Sequence, residues 1–162
     1  MQQISRAGNV ERSGSTAGFT LLEVICVVAI VGMIAAILLP AFPTGTSQSR
    51  LKGYAVQIAS LLTADRTAAI RRHATVATRV DALGRSIRSG ANEEAVELPA
   101  DVRVEATLAA RCNGRPAGAT IVFFASGMSC GGVVTIARPG AGYAIHINWL
   151  TGGIQIVRRH LN

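Results

Sequence analysis

Aromatic side chains are scarce in this 162-residue chain: four Phe, two Tyr and one Trp amount to 4% of it. That argues against base stacking as a binding mode and against an aromatic-lined sugar groove. Cysteine is scarce as well. There are three, one inside an apolar run, so a disulfide-dense secreted scaffold is excluded. Acidic residues number 9 against 16 basic ones, for a formal charge of +7. Charge of either sign almost vanishes between Phe19 and Ser49, where Glu23 stands alone, and from Val24 to Leu39 nothing is polar except Cys26. This one segment explains a mean hydropathy of +0.37. With its flanks it has the length of a bilayer span, which excludes a purely cytosolic enzyme. The apolar content excludes intrinsic disorder, and the length predicts one folded domain.

Residues Met1 to Gly18 are polar, carry Arg6, Glu11 and Arg12, and contain no apolar core. A secretory signal places its hydrophobic stretch ahead of a small-residue cleavage site. Here the order is reversed. Ala17-Gly18 comes first, and Phe19-Thr20-Leu21-Leu22-Glu23-Val24 opens the hydrophobic run. A cut after Gly18 would remove a hydrophilic leader and keep the span, so the protease would work at the cytoplasmic face, where Arg6 and Arg12 hold the leader. A plain single-pass anchor is the alternative, and it leaves the reversed order unexplained.

The segment Gly18-Phe19-Thr20-Leu21-Leu22-Glu23 resembles the processing site of type IV pilins and type II secretion pseudopilins. The resemblance implies a prepilin peptidase that cuts after Gly18 and methylates the new N-terminal Phe19. It also implies an assembly role for Glu23. A carboxylate in an apolar helix costs on the order of 2.5–3.5 kcal/mol on insertion scales and usually has a partner. The amine created at Phe19 of a neighbouring subunit could meet Glu23 as staggered helices stack, setting register in a filament. The alternative is a Glu that reaches to the headgroups.

Pro40 and Pro43 bracket Phe42, and proline kinks or ends a helix. The helical period then resumes, with Leu51, Tyr54, Ala55, Ile58, Leu61, Leu62, Asp65 and Ala69 at three- and four-residue spacing. This reads as the amphipathic second half of one long helix ending near Arg72-His73. After His73 the period becomes two. Val76, Thr78 and Val80 alternate, Leu83-Gly84 offers a turn before Arg85 to Arg88, and Ser89 to Glu97 reads as a loop closed by Pro99. Val102, Val104 and Ala106 alternate again. Ile121 to Phe124 reads as a central strand and Val133 to Ile136 as another. Tyr143, Ile145 and Ile147, then Ile154 and Ile156, predict a hairpin with one buried face. The fold class is therefore α+β, with one long helix and an antiparallel domain of about six to eight strands. The expected divisions are a leader over 1–18, a transmembrane half-helix over 19–42, an amphipathic half-helix over 43–73 and a β domain over 74–162.

Phe124-Ala125-Ser126-Gly127, Gly131-Gly132 leading into a strand, and Asn148-Trp149-Leu150-Thr151-Gly152 leading into the last one look like the minor pseudopilin H group of type II secretion and related type IV minor pilins. Such a resemblance implies a pilin-like fold whose long helix is transmembrane in its first half and packs on the β domain. The acid-rich calcium segment of major pseudopilins has no counterpart here, which favours a minor subunit. The implied setting is the bacterial inner membrane, single-pass, with the C-terminal domain in the periplasm. The implied partners are other major and minor pseudopilins, prepilin peptidase, the inner-membrane assembly platform and secreted substrate.

In that compartment disulfides persist, and Cys112 and Cys130 flank the apolar strand 121–124, so a bridge is expected there; two free thiols are the alternative. Cys26 reads as a packing residue. His73, His146 and His160 share no metal-like spacing, and His146 should point away from Ile145 and Ile147. Ser126-Gly127 lacks the G-x-S-x-G pattern, and neither a Walker loop nor G-x-G-x-x-G occurs. Glu93, Glu94 and Glu97 sit on the expected loop. No catalytic residue, cofactor or metal is expected, and enzymatic activity is not. The leading function is a structural subunit at or near the tip of a type II secretion pseudopilus. The alternative is a type IV minor pilin that binds nucleic acid through Arg158 and Arg159, by phosphate contacts that would be salt-dependent.

Overall fold

The computed structural model describes residues 18–38 and 45–159. The expected leader, Pro40, Phe42, Pro43 and His160 lie outside the described residues. The chain divides into two units, Met1–Phe42 and Pro43–Asn162.

In the first unit, helix α1 spans Leu21–Leu38 and opens with Glu23 in its first turn. Its large side chains are exposed all round, from Leu21 and Leu22 through Val27, Ile30 and Met33. A helix apolar on every side finds its partners in lipid or in other helices, not in water.

The second unit begins with helix α2, Gln48–Arg72. The expected long helix is thus described in two stretches. Ser47 has extended backbone and its hydroxyl accepts from the Arg50 N–H, so α2 is capped as a fresh helix start. At the other end His73 adopts the left-handed conformation, its N–H meets the Ile70 carbonyl and the Ala74 N–H meets that of Ala69. These bonds satisfy the last carbonyls and turn the chain into the first strand. Arg71 and Arg72 complement the helix dipole in the final turn.

Among the described residues ten strands follow: β1 Val76–Asp81, β2 Ser86–Arg88, β3 Ala95–Glu97, β4 Arg103–Leu108, β5 Arg111–Cys112, β6 Arg115–Pro116, β7 Thr120–Phe123, β8 Gly132–Arg138, β9 Ala141–Ile147 and β10 Ile154–Arg159. One sheet has the order β3-β2-β1-β7, a second β10-β9-β8-β4, and β5-β6 form a small ribbon; every pairing is antiparallel. Leu51, Ala55, Ile58, Leu62 and Ala69 on α2 share one core with Ile87, Ile121 and Phe123 from the first sheet and Val134, Ile136 and Ile145 from the second. Burying each large aliphatic or aromatic side chain contributes about 1.5–3 kcal/mol, so this shared face dominates the unit's stability.

Three expectations are corrected. The loop expected over Ser89 to Glu97 ends in a strand, because Ile87 pairs with Val96 and both are buried. Ile121 to Phe124 is not central: β7 closes the first sheet beside β1. Its unbroken apolar run is explained instead by cover along its outer edge, where Phe123 bridges Ser129 and the Cys130 N–H donates to the Val122 carbonyl. The β9-β10 hairpin pairs Ile154 with Ile147 and Ile156 with Ile145, yet Ile156 remains exposed because β10 is the sheet's last strand.

Candidate functional site

The residues singled out around the N-terminal motif open the described part of the first unit. Gly18, Phe19 and Thr20 precede the helix without regular structure. Thr20 caps α1: its hydroxyl accepts from the Glu23 N–H at 3.2 Å, and its carbonyl accepts from Glu23 and Val24 at 3.0 and 3.2 Å. The bond between residues 18 and 19 is therefore outside the helical hydrogen-bond ladder. A Cβ added at Gly18 would meet nothing within 4 Å. Phe19 is 83% exposed, and Glu23 is exposed in the first turn, where the helix dipole favours a negative charge. Cys26 is free and exposed on the same helix. Among the described residues no helix is long and apolar enough to cross a membrane.

In the second unit Cys112 and Cys130 are joined as a disulfide, with Cα atoms 5.6 Å apart and a sequence separation of 18. It ties the β5-β6 ribbon to the segment between β7 and β8. Arg158 and Arg159, neighbours in sequence, do not form one patch. Arg158 pairs with Tyr143 and shares that sheet face with Ile136 and Val104. Arg159 pairs with Gly142 on the opposite face, in a row with Ala137 and Arg103. His146 is exposed, as the alternation requires. Ser126 accepts from the Met128 N–H in a turn. No group of three or more metal-ligating side chains occurs among the described residues.

Two polar clusters were not anticipated. Asp65 is fully buried on α2, and its carboxylate accepts from the hydroxyls of Thr78 and Ser89 and from the N–H groups of Gly90 and Ala91. An acid in helical register with the core positions Ile58 and Leu62 was the available signal: Asp65 falls on the apolar face between Leu62 and Ala69. The second cluster joins Asp101 to Thr46, which donates to it through backbone N–H and hydroxyl. Those bonds, the backbone one foremost, hold the Asp101 carboxyl below its ordinary range.

Residues 14–39 match the family model described as the prokaryotic N-terminal methylation motif. Over 138 residues the chain is 28% identical to type II secretion system protein H of Xanthomonas campestris pv. campestris, covering 85% of this chain and 81% of that one. Its fold matches a crystal structure of the minor pseudopilin EpsH from the type II secretion system of Vibrio cholerae with a TM-score of 0.56 at 13% identity, covering 71% of this chain and 98% of that one. It also matches the type IV minor pilin FimU of Pseudomonas aeruginosa with a TM-score of 0.53 at 16% identity, covering 69% and 91%. The chain therefore carries a prepilin-type methylation motif and the fold of minor pseudopilins and minor pilins.

Proposed function

We propose that this chain is a minor pseudopilin of a type II secretion system, held in the inner membrane by its apolar helix with the β domain in the periplasm. The supporting observation is the union, in one chain, of a methylation-type N-terminus with a pilin-like β domain similar in sequence to protein H. On this reading prepilin peptidase cuts after Gly18 and methylates Phe19. The 18 described residues of α1 rise about 27 Å, short of the roughly 30 Å of a hydrocarbon core, so on this reading the span also takes in flanking apolar sequence, which continues to Leu39. Glu23 then lies near one end of the span, where the Phe19 amine of an adjacent subunit can neutralise it during assembly. The β domain meets other pseudopilins at or near the filament tip, and secreted substrate there.

The DNA-binding alternative asks Arg158 and Arg159 to act as one phosphate-binding pair. They project to opposite faces of the edge strand β10 and not side by side as one pair, which favours the first reading.

Intact mass and N-terminal sequence of the membrane-extracted protein, from cells with and without prepilin peptidase, test the proposal. An N-methylated Phe19 that depends on the peptidase is expected, together with co-purification of other pseudopilins after crosslinking. A retained leader in both strains, or a cut beyond the apolar run, would overturn it.

A further inference from the structure

A cleft of about 710 Å³ opens in the second unit between the β1-β2 turn, the segment leading into β4, and the β8-β9 turn. Three arginines line it, Arg85, Arg103 and Arg138, together with a single carboxylate, Asp101. Both oxygens of that carboxylate are engaged by Thr46, and its charge stays in place within reach of Arg138, so three cations and one anion leave the lining net positive. No ion pair reaches Arg85 or Arg138 among the described residues; Arg103 touches only the exposed Glu105, at 4.0 Å.

The two half-buried arginines are incompletely satisfied. The Nε atoms of Arg85 and Arg138 are both buried without a hydrogen-bond partner, although Arg138 donates through Nη1 to the Pro139 carbonyl. A buried donor left without an acceptor is costly and uncommon in a folded domain, more so on a charged group. Arg85 also occupies the left-handed region, with φ of 51°, at a turn position ordinarily taken by Gly or Asn. A bulky cation there is unfavourable for the turn itself. Beside it, Leu83 is 93% exposed, and Val102 contributes apolar wall.

We infer that this cleft is a docking site for an acidic, partly apolar peptide segment of a protein partner, whose carboxylates pair with Arg85 and Arg138 while an apolar side chain rests on Leu83. Guanidinium groups bind carboxylates through paired, planar hydrogen bonds, and Arg85, Arg103 and Arg138 bring three of them to the cleft wall. Charge complementarity selects an acidic partner. A nucleic acid fits less well: three arginines within a cleft with apolar walls do not make the continuous basic track that a phosphate backbone follows. The inference rests on the reading that the β domain meets protein neighbours. Co-purification of pseudopilins tests that reading separately and would stay positive if only the cleft were misassigned.

The test uses the full chain in detergent and a fluorescent peptide of alternating leucine and glutamate, read by anisotropy. Binding that weakens steeply with salt is expected, along with loss of roughly tenfold or more in affinity for Arg85→Gln/Arg138→Gln and no change for Arg158→Gln/Arg159→Gln. Should the first variant fail to fold, the unmodified protein still decides the matter, because a peptide with glutamine for glutamate should not bind. Equal binding of the glutamine peptide, an unchanged affinity in the folded Arg85→Gln/Arg138→Gln protein, or tighter binding of a labelled single-stranded oligonucleotide would each overturn the assignment.

Discussion

Thr46 holds both oxygens of the Asp101 carboxylate, one through its backbone N–H and the other through its hydroxyl at 2.9 Å. The residues are 55 apart in sequence, so the contact ties the chain just ahead of α2 to the approach to β4. The Thr46 hydrogen bonds depress the Asp101 pKa, and the charge of Arg138 adds a smaller pull in the same direction. A folded-state pKa below the unfolded one means that the stabilisation is present above the unfolded value and disappears as pH falls through the folded one. The Thr46 amide resonance should therefore titrate with a midpoint below about 3.9, and Asp101→Ala should abolish that titration and speed exchange of the Thr46 amide at neutral pH. A midpoint at or above the ordinary aspartate value would contradict this account.

Asp65 is the acceptor for four donors drawn from β1 and the β2-β3 connection, all gathered under α2. Asp65→Ala leaves them buried without that acceptor and should cost on the order of 3 kcal/mol, read as a lowered denaturation midpoint with the slope unchanged. Asp65→Asn keeps one carbonyl oxygen and should lose less. An alanine variant as stable as the parent would show that water replaces the carboxylate.

The same residue illustrates what could be read from sequence and what could not. Period and turn chemistry located α2, the alternation of β1 and the β9-β10 hairpin, because each leaves a local mark. Sheet order leaves none. Ile121 to Phe124 looks central from its continuous apolarity, yet the cover that makes it so comes from Ser129 and Cys130 across a turn. Asp65 was visible as an acid on an apolar face, but its donors lie 13 to 26 residues away and on other elements. The N-terminal motif is the opposite case: Gly18, Phe19 and Glu23 fall within six consecutive residues, so the match is legible in the sequence alone. The arginine cleft draws on three separated turns and left no signature along the chain.

The bridge between Cys112 and Cys130 closes a loop 18 residues long by sequence separation. In the chain-entropy model a loop of that size contributes about 3 kcal/mol. Cys112→Ser, Cys130→Ser and the double variant should therefore be destabilised by similar amounts, and reduction of the parent protein should lower its melting temperature to theirs. Reduction without any shift would show that the bridge adds nothing to stability.

Gly18 has open space around it, so a larger side chain there meets no obstacle within the chain. Replacement by a bulky residue such as Gly18→Leu should leave the β domain's melting temperature unchanged while blocking removal of the leader, seen as retained precursor mass. Gly18→Ala tests the tolerance for one methyl group at the same step. Mature-length protein from Gly18→Leu would displace the cleavage site from this position.

Glu23 joins the cap of α1 through its backbone N–H, which donates to Thr20, and not through its carboxylate. Glu23→Ala therefore removes the charge without removing the cap, and α1 should form as before. The insertion cost of a carboxylate is greatest at the centre of a span and smaller near its end, where Glu23 lies, so its removal favours residence in the bilayer and removes the partner for an incoming Phe19 amine. Processing should proceed normally in Glu23→Ala, while recovery in sheared pseudopilus fractions should fall to background. Glu23→Gln should behave alike, because the isosteric amide restores hydrogen bonding but not charge. Normal incorporation of either variant would refute an electrostatic role, and incorporation of glutamine alone would replace it with a hydrogen-bonding one.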